Sequence, residues 1–144
     1  MRTAIIDVQP VQTKPPGLYL RHQSFKEASS SRALKCAAEC DPVTLDLAIA
    51  EAGSVAWKQV IFSGESKDRA LDAFQDCQDF IATACALIKA SDLTTEAFEI
   101  AVEDKTSYYD SLFLAAAQEE EMPLLTLDRR LYEKAKSKRD VRLV

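Results

Sequence analysis

Asp7, Glu51, Asp110 and Asp128 are the side chains whose type and placement could do chemistry in this chain. Asp7 ends the apolar run Thr3–Ile6, and Asp128 ends the apolar run Leu124–Leu127. Such runs are too short for a helix and lack polar alternation, so they read as buried strands of a parallel sheet. If the two strands are neighbours, both carboxylates leave the same sheet edge, where open α/β sheets form their sites. Glu51 stands at the border of an apolar helix face, in a row with Leu47, Val55 and Lys58. Asp110 falls in the first turn of the helix that precedes the Asp128 strand. Converging carboxylates disfavour one another's charged form, so they need either a raised proton affinity or a cation. No arginine or lysine is built into the same apolar segments. A hard divalent ion, Mg²⁺ or Mn²⁺, is the natural partner for such oxygen donors. It would activate water and steady the charge of a phosphodiester during displacement. Each acid also has a plainer role: Asp128 as a helix N-cap, Asp110 as an acid favoured by a helix dipole, Glu51 as a surface residue near Lys58, Asp7 as a turn residue.

Positioning these acids requires strands and helices in alternation. Val8–Leu20 carries Pro10, Pro15, Pro16 and Gly17 and reads as an irregular loop, because proline removes backbone donors and turns its predecessor away from helix. Ser24–Glu39 reads as a helix, broken by Asp41-Pro42. Thr44–Phe62 reads as a second helix, with Leu45, Ile49, Ala52, Ala56 and Val60 at helical spacing. Gly53 inside it costs about 1 kcal/mol relative to alanine, which predicts a close packing partner. Ser66–Ala82 reads as a helix burying Ala70, Phe74, Cys77 and Ile81, with Asp68, Asp72, Asp76 and Asp79 on a solvated face.

Ala84–Ile88 reads as a central strand, and Ser91, Asp92 and Thr94 as caps of a helix running to about Val102. A helix from Ser107 to Glu120 follows, whose Ala115-Ala116-Ala117 would let it lie close to the sheet. A last helix runs from Asp128 to about Lys136, and Val141–Val144 reads as an edge strand. The alternation predicts an α/β fold with a central, mainly parallel sheet, right-handed crossovers and a single domain over residues 1–144.

The bulk properties narrow the function classes. A net charge of −5 and a pI of about 4.9 argue against broad coating of nucleic acid, which needs a positive field. They leave room for a nuclease whose acids gather in a metal pocket. Cys36, Cys40, Cys77 and Cys85 form no C-x-x-C pair, and His22 is the only histidine, so the cysteines read as free thiols rather than zinc ligands. No apolar run approaches the ~20 residues of a membrane span, and the N-terminus lacks a signal-peptide pattern, so a cytoplasmic location is expected.

Two blocks carry a resemblance to a known family. Thr106-Ser107-Tyr108-Tyr109-Asp110-Ser111-Leu112-Phe113-Leu114-Ala115-Ala116-Ala117, then Pro123-Leu124-Leu125-Thr126-Leu127-Asp128-Arg129-Arg130-Leu131, resembles the C-terminal signature of PIN-domain proteins. Asp110 and Asp128 stand 18 residues apart (128 − 110), as that signature places them. Thr44–Ala52, continuing through Ala56-Trp57-Lys58, is similar to the family helix that carries a characteristic glutamate. The resemblance implies a three-layer α/β/α PIN-like domain and a Mg²⁺- or Mn²⁺-dependent ribonuclease. It implies Asp7, Glu51, Asp110 and Asp128 as the catalytic and metal-holding set, with Thr126 close by. Many small members are VapC-like toxins, homodimers inhibited by an antitoxin protein, which implies RNA as substrate and an antitoxin as partner. After Asp7 the chain departs from the family pattern, with Val8-Gln9-Pro10 where a small or polar residue and then Ser, Thr or Asn is usual. That departure keeps two other readings open: an RNA-processing nuclease without an antitoxin, and a non-catalytic binding module on the same fold. Arg129, Arg130, Lys134, Lys138 and Arg139 are candidates for guiding RNA phosphates, and Tyr108 or Tyr109 for stacking on a base.

Overall fold

A computed structural model describes residues 2–6 and 40–144 of the chain. Asp7, the proline-containing loop 8–20, His22, Cys36 and the helix expected over 24–39 lie outside the described residues. Within them the chain runs β1 (Arg2–Ile6), β2 (Cys40–Leu45), α1 (Ala48–Ser63), α2 (Lys67–Ala84) and β3 (Ala86–Ile88). A 3-10 turn (Ala90–Leu93), α3 (Thr94–Asp104), α4 (Tyr108–Glu119), β4 (Leu124–Thr126), α5 (Arg129–Ala135) and β5 (Val141–Leu143) follow. The strands form one sheet in the order β3-β2-β1-β4-β5, with every pairing parallel.

That order reverses direction between β1 and β4. The crossover from β2 to β3 moves one way along the sheet, and those from β3 to β4 and β4 to β5 move the other. With right-handed connections, α1 and α2 cover one face while α3, α4 and α5 cover the opposite one, giving three layers. The main core lies under the second group. It is built on Val43 and Leu45 of β2, Leu124 of β4, Val141 of β5 and the fully buried stretch from Leu112 to Ala117 of α4. The three consecutive alanines let α4 approach the sheet, as expected. On the other face α1 and α2 meet at Gly53, where an added Cβ would come within 3.1 Å of the Phe74 ring. Close approach of that ring is what the glycine permits, as its place in the helix predicted. α1 ends at Gly64, whose φ of +69° suits a residue without a Cβ.

Four expectations need correction. The helix predicted over Thr44–Phe62 starts at Ala48, and Cys40–Leu45, including Thr44 and Leu45, is strand β2. Pro42 does not end the strand, because β3 joins β2 only from Val43 onward, so the missing proline N–H falls where β1 is the sole neighbour. The strand expected as central near Ala84–Ile88 is β3 at an edge of the sheet, and its Ala86 and Leu87 are exposed. The side-chain caps expected from Ser91, Asp92 or Thr94 are replaced by the 3-10 turn, with buried Leu93 at the N-cap position and no capping side chain. The basic residues near the C-terminus are largely committed within the fold. Lys134 donates to the Lys105 carbonyl (3.0 Å), while Lys138 and Arg139 bind Asp104. Arg129 and Arg130 stay exposed. Cys77 and Cys85 form no disulfide, and burial pushes the Cys77 thiol up.

Asp104 is the feature no sequence pattern announced. Its side chain is fully buried at the end of α3, and it accepts from Arg139 Nε at 2.5 Å and Lys138 Nζ at 3.2 Å. Arg139 also donates to Gln118 Oε1 at 2.7 Å, tying α4 into the same clasp. Burial alone would raise this carboxyl, but the hydrogen bonds from Arg139 and Lys138 outweigh it and hold the group below its ordinary 3.8. A carboxyl lowered by folding stabilises the protein above its unfolded value, and that contribution is lost as pH falls through the lowered one. Asp104→Ala removes the buried charge partner of Arg139 and leaves it, among the described residues, only the exposed Glu103 carboxylate at 3.6 Å as a charge partner. It is expected to lower the unfolding free energy at pH 7 by about 3 kcal/mol, with the difference shrinking as the pH approaches 3. Urea titrations at both pH values test this, and a change within about 0.5 kcal/mol at pH 7 would show the clasp to be dispensable.

Candidate functional site

Leu47, Ala50, Glu51, Ser54, Val55 and Lys58 follow one another at helical spacing along a single stripe of the α1 segment. With Tyr109 of α4 they line an open groove of about 420 Å³. The row predicted to flank Glu51 is therefore real, and the groove joins the two helical layers. Glu51 comes from the helix on one face of the sheet and Tyr109 from the helix on the other.

The Glu51 carboxylate is the site's unmet group. Its Oε2 is buried and has no hydrogen-bond partner. Burial first, and the neighbouring charge of Asp110 second, push its carboxyl up from 4.5 to about 7. The structure thus brings Glu51 and Asp110 together. Asp110 is half-buried and is placed by the start of α4. Ser107 is the N-cap, and its hydroxyl accepts from the Asp110 N–H at 3.0 Å. Ser111, fully buried, donates to the Ser107 carbonyl at 2.8 Å and shares a 2.6 Å hydrogen bond with the Thr106 hydroxyl. These short local bonds hold the first turn of α4 rigid.

Asp128 follows β4 at the carboxyl end of the sheet. It takes its plainer role, as N-cap of α5: Oδ1 accepts from the Arg130 N–H at 2.7 Å and the Leu131 N–H at 3.2 Å. Buried Thr126 accepts from the Asp128 N–H at 3.0 Å, so the hydroxyl singled out in the sequence braces the turn that bears the aspartate. Asp7 lies outside the described residues. Its strand, β1, is the parallel neighbour of β4, with Ile5 opposite Leu124 and Ile6 opposite Leu125. The strand pairing expected beneath Asp7 and Asp128 is therefore present at the point where the sheet order reverses, the usual crevice of open α/β sheets.

Among the described residues, no group of three or more His, Cys, Asp or Glu side chains is gathered into a metal-binding cluster. The pair that does converge, Glu51 and Asp110, nevertheless suits a hard cation. Its donors are oxygens, one of them buried and unpartnered, and the two negative charges oppose each other. Mg²⁺ in particular is held by one or two carboxylates while keeping several of its waters.

A family model for the PIN domain matches residues 22–137. Among solved structures, the fold is similar to that of PAE2754 from Pyrobaculum aerophilum, with a TM-score of 0.59 and 21% sequence identity. The alignment covers 92% of this chain and 79% of that one, and the likeness speaks to the fold. Comparison with curated proteins finds no match.

The raised Glu51 carboxyl has a direct consequence for stability. An acid raised by folding stabilises the protein below its unfolded value of 4.5, and that contribution is lost as pH rises through about 7. Glu51→Gln carries no charge at any pH. In metal-free buffer it is expected to raise the Tm by roughly 3 °C at pH 8 and to change it little at pH 4.5. Thermal melts at the two pH values check this. An equal shift at both would remove the buried charge as the cause.

Proposed function

The chain belongs to the PIN domain family, and on that premise we propose that it is a divalent-metal-dependent endoribonuclease. PIN domains are generally nucleases, which supports a nuclease role with nucleic acid as substrate. The observation that carries the finer reading is the buried, unpartnered Glu51 oxygen facing the charge of Asp110. An unmet carboxylate is costly to keep unless a proton or a cation answers it. In this reading Asp7, Glu51, Asp110 and Asp128 hold Mg²⁺ or Mn²⁺ at the carboxyl edge of the sheet.

The ion, when bound, supplies Lewis acidity toward water and a phosphodiester. The chain's own groups do the rest. Without the ion, Glu51, its carboxyl raised to about 7, is partly protonated near neutral pH, and holding the ion would release that proton. Asp110 is fixed by the Ser107 cap, and Asp128 by its bonds to the α5 amides and the Thr126 hydroxyl. Neither needs to reorganise when charge develops nearby. Arg129 and Arg130, exposed at the start of α5 beside Asp128, are free to meet phosphate.

We take the chain to act as a single PIN-like unit over 1–144, as a homodimer and as the toxin of a toxin–antitoxin pair. Induced expression is then expected to arrest growth, and co-expression of a neighbouring small DNA-binding protein to restore it; unimpeded growth on expression would sink the toxin reading. For the chemistry, purified protein with Mn²⁺ is expected to cleave single-stranded RNA. Asp110→Asn is expected to reduce the rate at least about a hundredfold, more than the loss of an outer-shell partner typically costs. Equal rates for the two proteins would refute the assignment.

A further inference from the structure

Beyond the acids, the groove holds features that a metal site does not use. Tyr109, the chain neighbour of Asp110, lines the groove from α4 and is 64% exposed. Tyr108 meets it edge to face, with ring centroids 6.1 Å apart and planes at 68°. An edge-to-face contact uses at most one face of the Tyr109 ring, so another aromatic face is left for a ligand. Tyr108 is less exposed and does not line the groove.

Lys58 stands at the far end of the α1 stripe, seven residues from Glu51 (58 − 51) and so roughly 10 Å along the helix axis. That separation keeps the ammonium from pairing with Glu51, and among the described residues Lys58 makes no ion pair. Exposed Ser54 lies between them on the same stripe and offers a hydroxyl. Along its α1 wall the groove therefore runs from a carboxylate through a hydroxyl to a cation, and Tyr109 lines the same groove from α4.

We propose that this groove is a nucleotide subsite: an unpaired base of single-stranded RNA stacks on Tyr109, and the phosphate on its far side is held by Lys58. The proposal rests on the nuclease reading and names the part of the substrate that reading leaves open. A stacking face requires a base free of its partner strand, which selects single strands over duplex. Stacking tolerates every base, so the subsite gives affinity and register without a sequence code. The carboxylate end repels the anionic backbone unless a cation is bound, so the chain direction through the groove is set by charge: phosphate toward Lys58, scissile bond toward Glu51 and Asp110.

The test is steady-state cleavage, with Mn²⁺, of a short single-stranded RNA carrying 2-aminopurine. Tyr109→Ala and Lys58→Ala are each expected to raise KM about tenfold, as loss of one stacked base or one phosphate contact does, with kcat kept within about twofold. Tyr109→Phe, which keeps the ring, is expected to retain the wild-type KM. An unchanged KM in Tyr109→Ala, a loss shared by Tyr109→Phe, or a fall in kcat alone would overturn the subsite while leaving the nuclease reading intact. If the wild type cleaves no RNA, the nuclease reading fails, and 2-aminopurine fluorescence of the uncleaved RNA with Mg²⁺ present decides the subsite by itself. Quenching by wild type and Tyr109→Phe but not by Tyr109→Ala supports it; no quenching by wild type overturns it.

Discussion

A carboxylate drawn out of water with no donor to meet it is the constraint on which the arrangement turns. Glu51 is held on a helix whose other positions, Ala48, Ala52 and Val55, are buried, so it cannot swing away without disturbing that packing. Asp110 faces it from a helix whose first turn is locked by hydroxyl-to-backbone bonds. Burial first, and the charge of Asp110 second, thus oppose ionisation of Glu51. A fold tolerates such frustration when something outside the chain relieves it, and that is the physical content of a functional site.

The sheet makes the convergence possible. Reversal of strand order between β1 and β4 sends the helical crossovers to opposite faces, and a cleft opens at the carboxyl edge between them. α1 delivers the stripe from Leu47 to Lys58 into that cleft from one side, and α4 delivers Tyr109 from the other, with Asp110 near enough for its charge to act on Glu51. Small residues set the spacing: the alanines of α4 against the sheet, and Gly53 against Phe74 between α1 and α2. Bulk at either place would move a helix, and with it one wall of the groove.

What the sequence disclosed followed the range over which its signals act. α4, β4 and α5 were legible nearly residue by residue, because Ser107 and Asp128 are caps and the intervening runs are short and apolar, all local features. β2 was hidden because Asp41-Pro42 reads as punctuation and Thr44-Leu45 blends into the helical period of α1. Only the stagger of β3 on β2 explains why proline is tolerated there. β3 looked central because it is apolar, yet apolar composition does not reveal how many neighbours a strand has. Within the candidate site, Glu51 and its row emerged from helical spacing, and Asp128 was seen with both of its possible roles. The clasp on Asp104 was invisible because its partners lie 34 and 35 residues further along. One faint sign existed: an acid in the last turn of a helix opposes the helix dipole, and so implies a compensating partner elsewhere.

That clasp has a bearing on how the molecule breathes. By joining Asp104 to Arg139 it closes a loop that contains α4, β4 and α5, and therefore both Asp110 and Asp128. A loop whose ends are pinned has already given up most of its closure entropy, so its contents come apart together rather than by fraying from the C-terminus. α1, with Glu51 and Lys58, lies outside that loop. The two walls of the groove are accordingly held by different contacts: one lies within the clasped loop, while the other rests on the packing of α1 against α2 at Gly53.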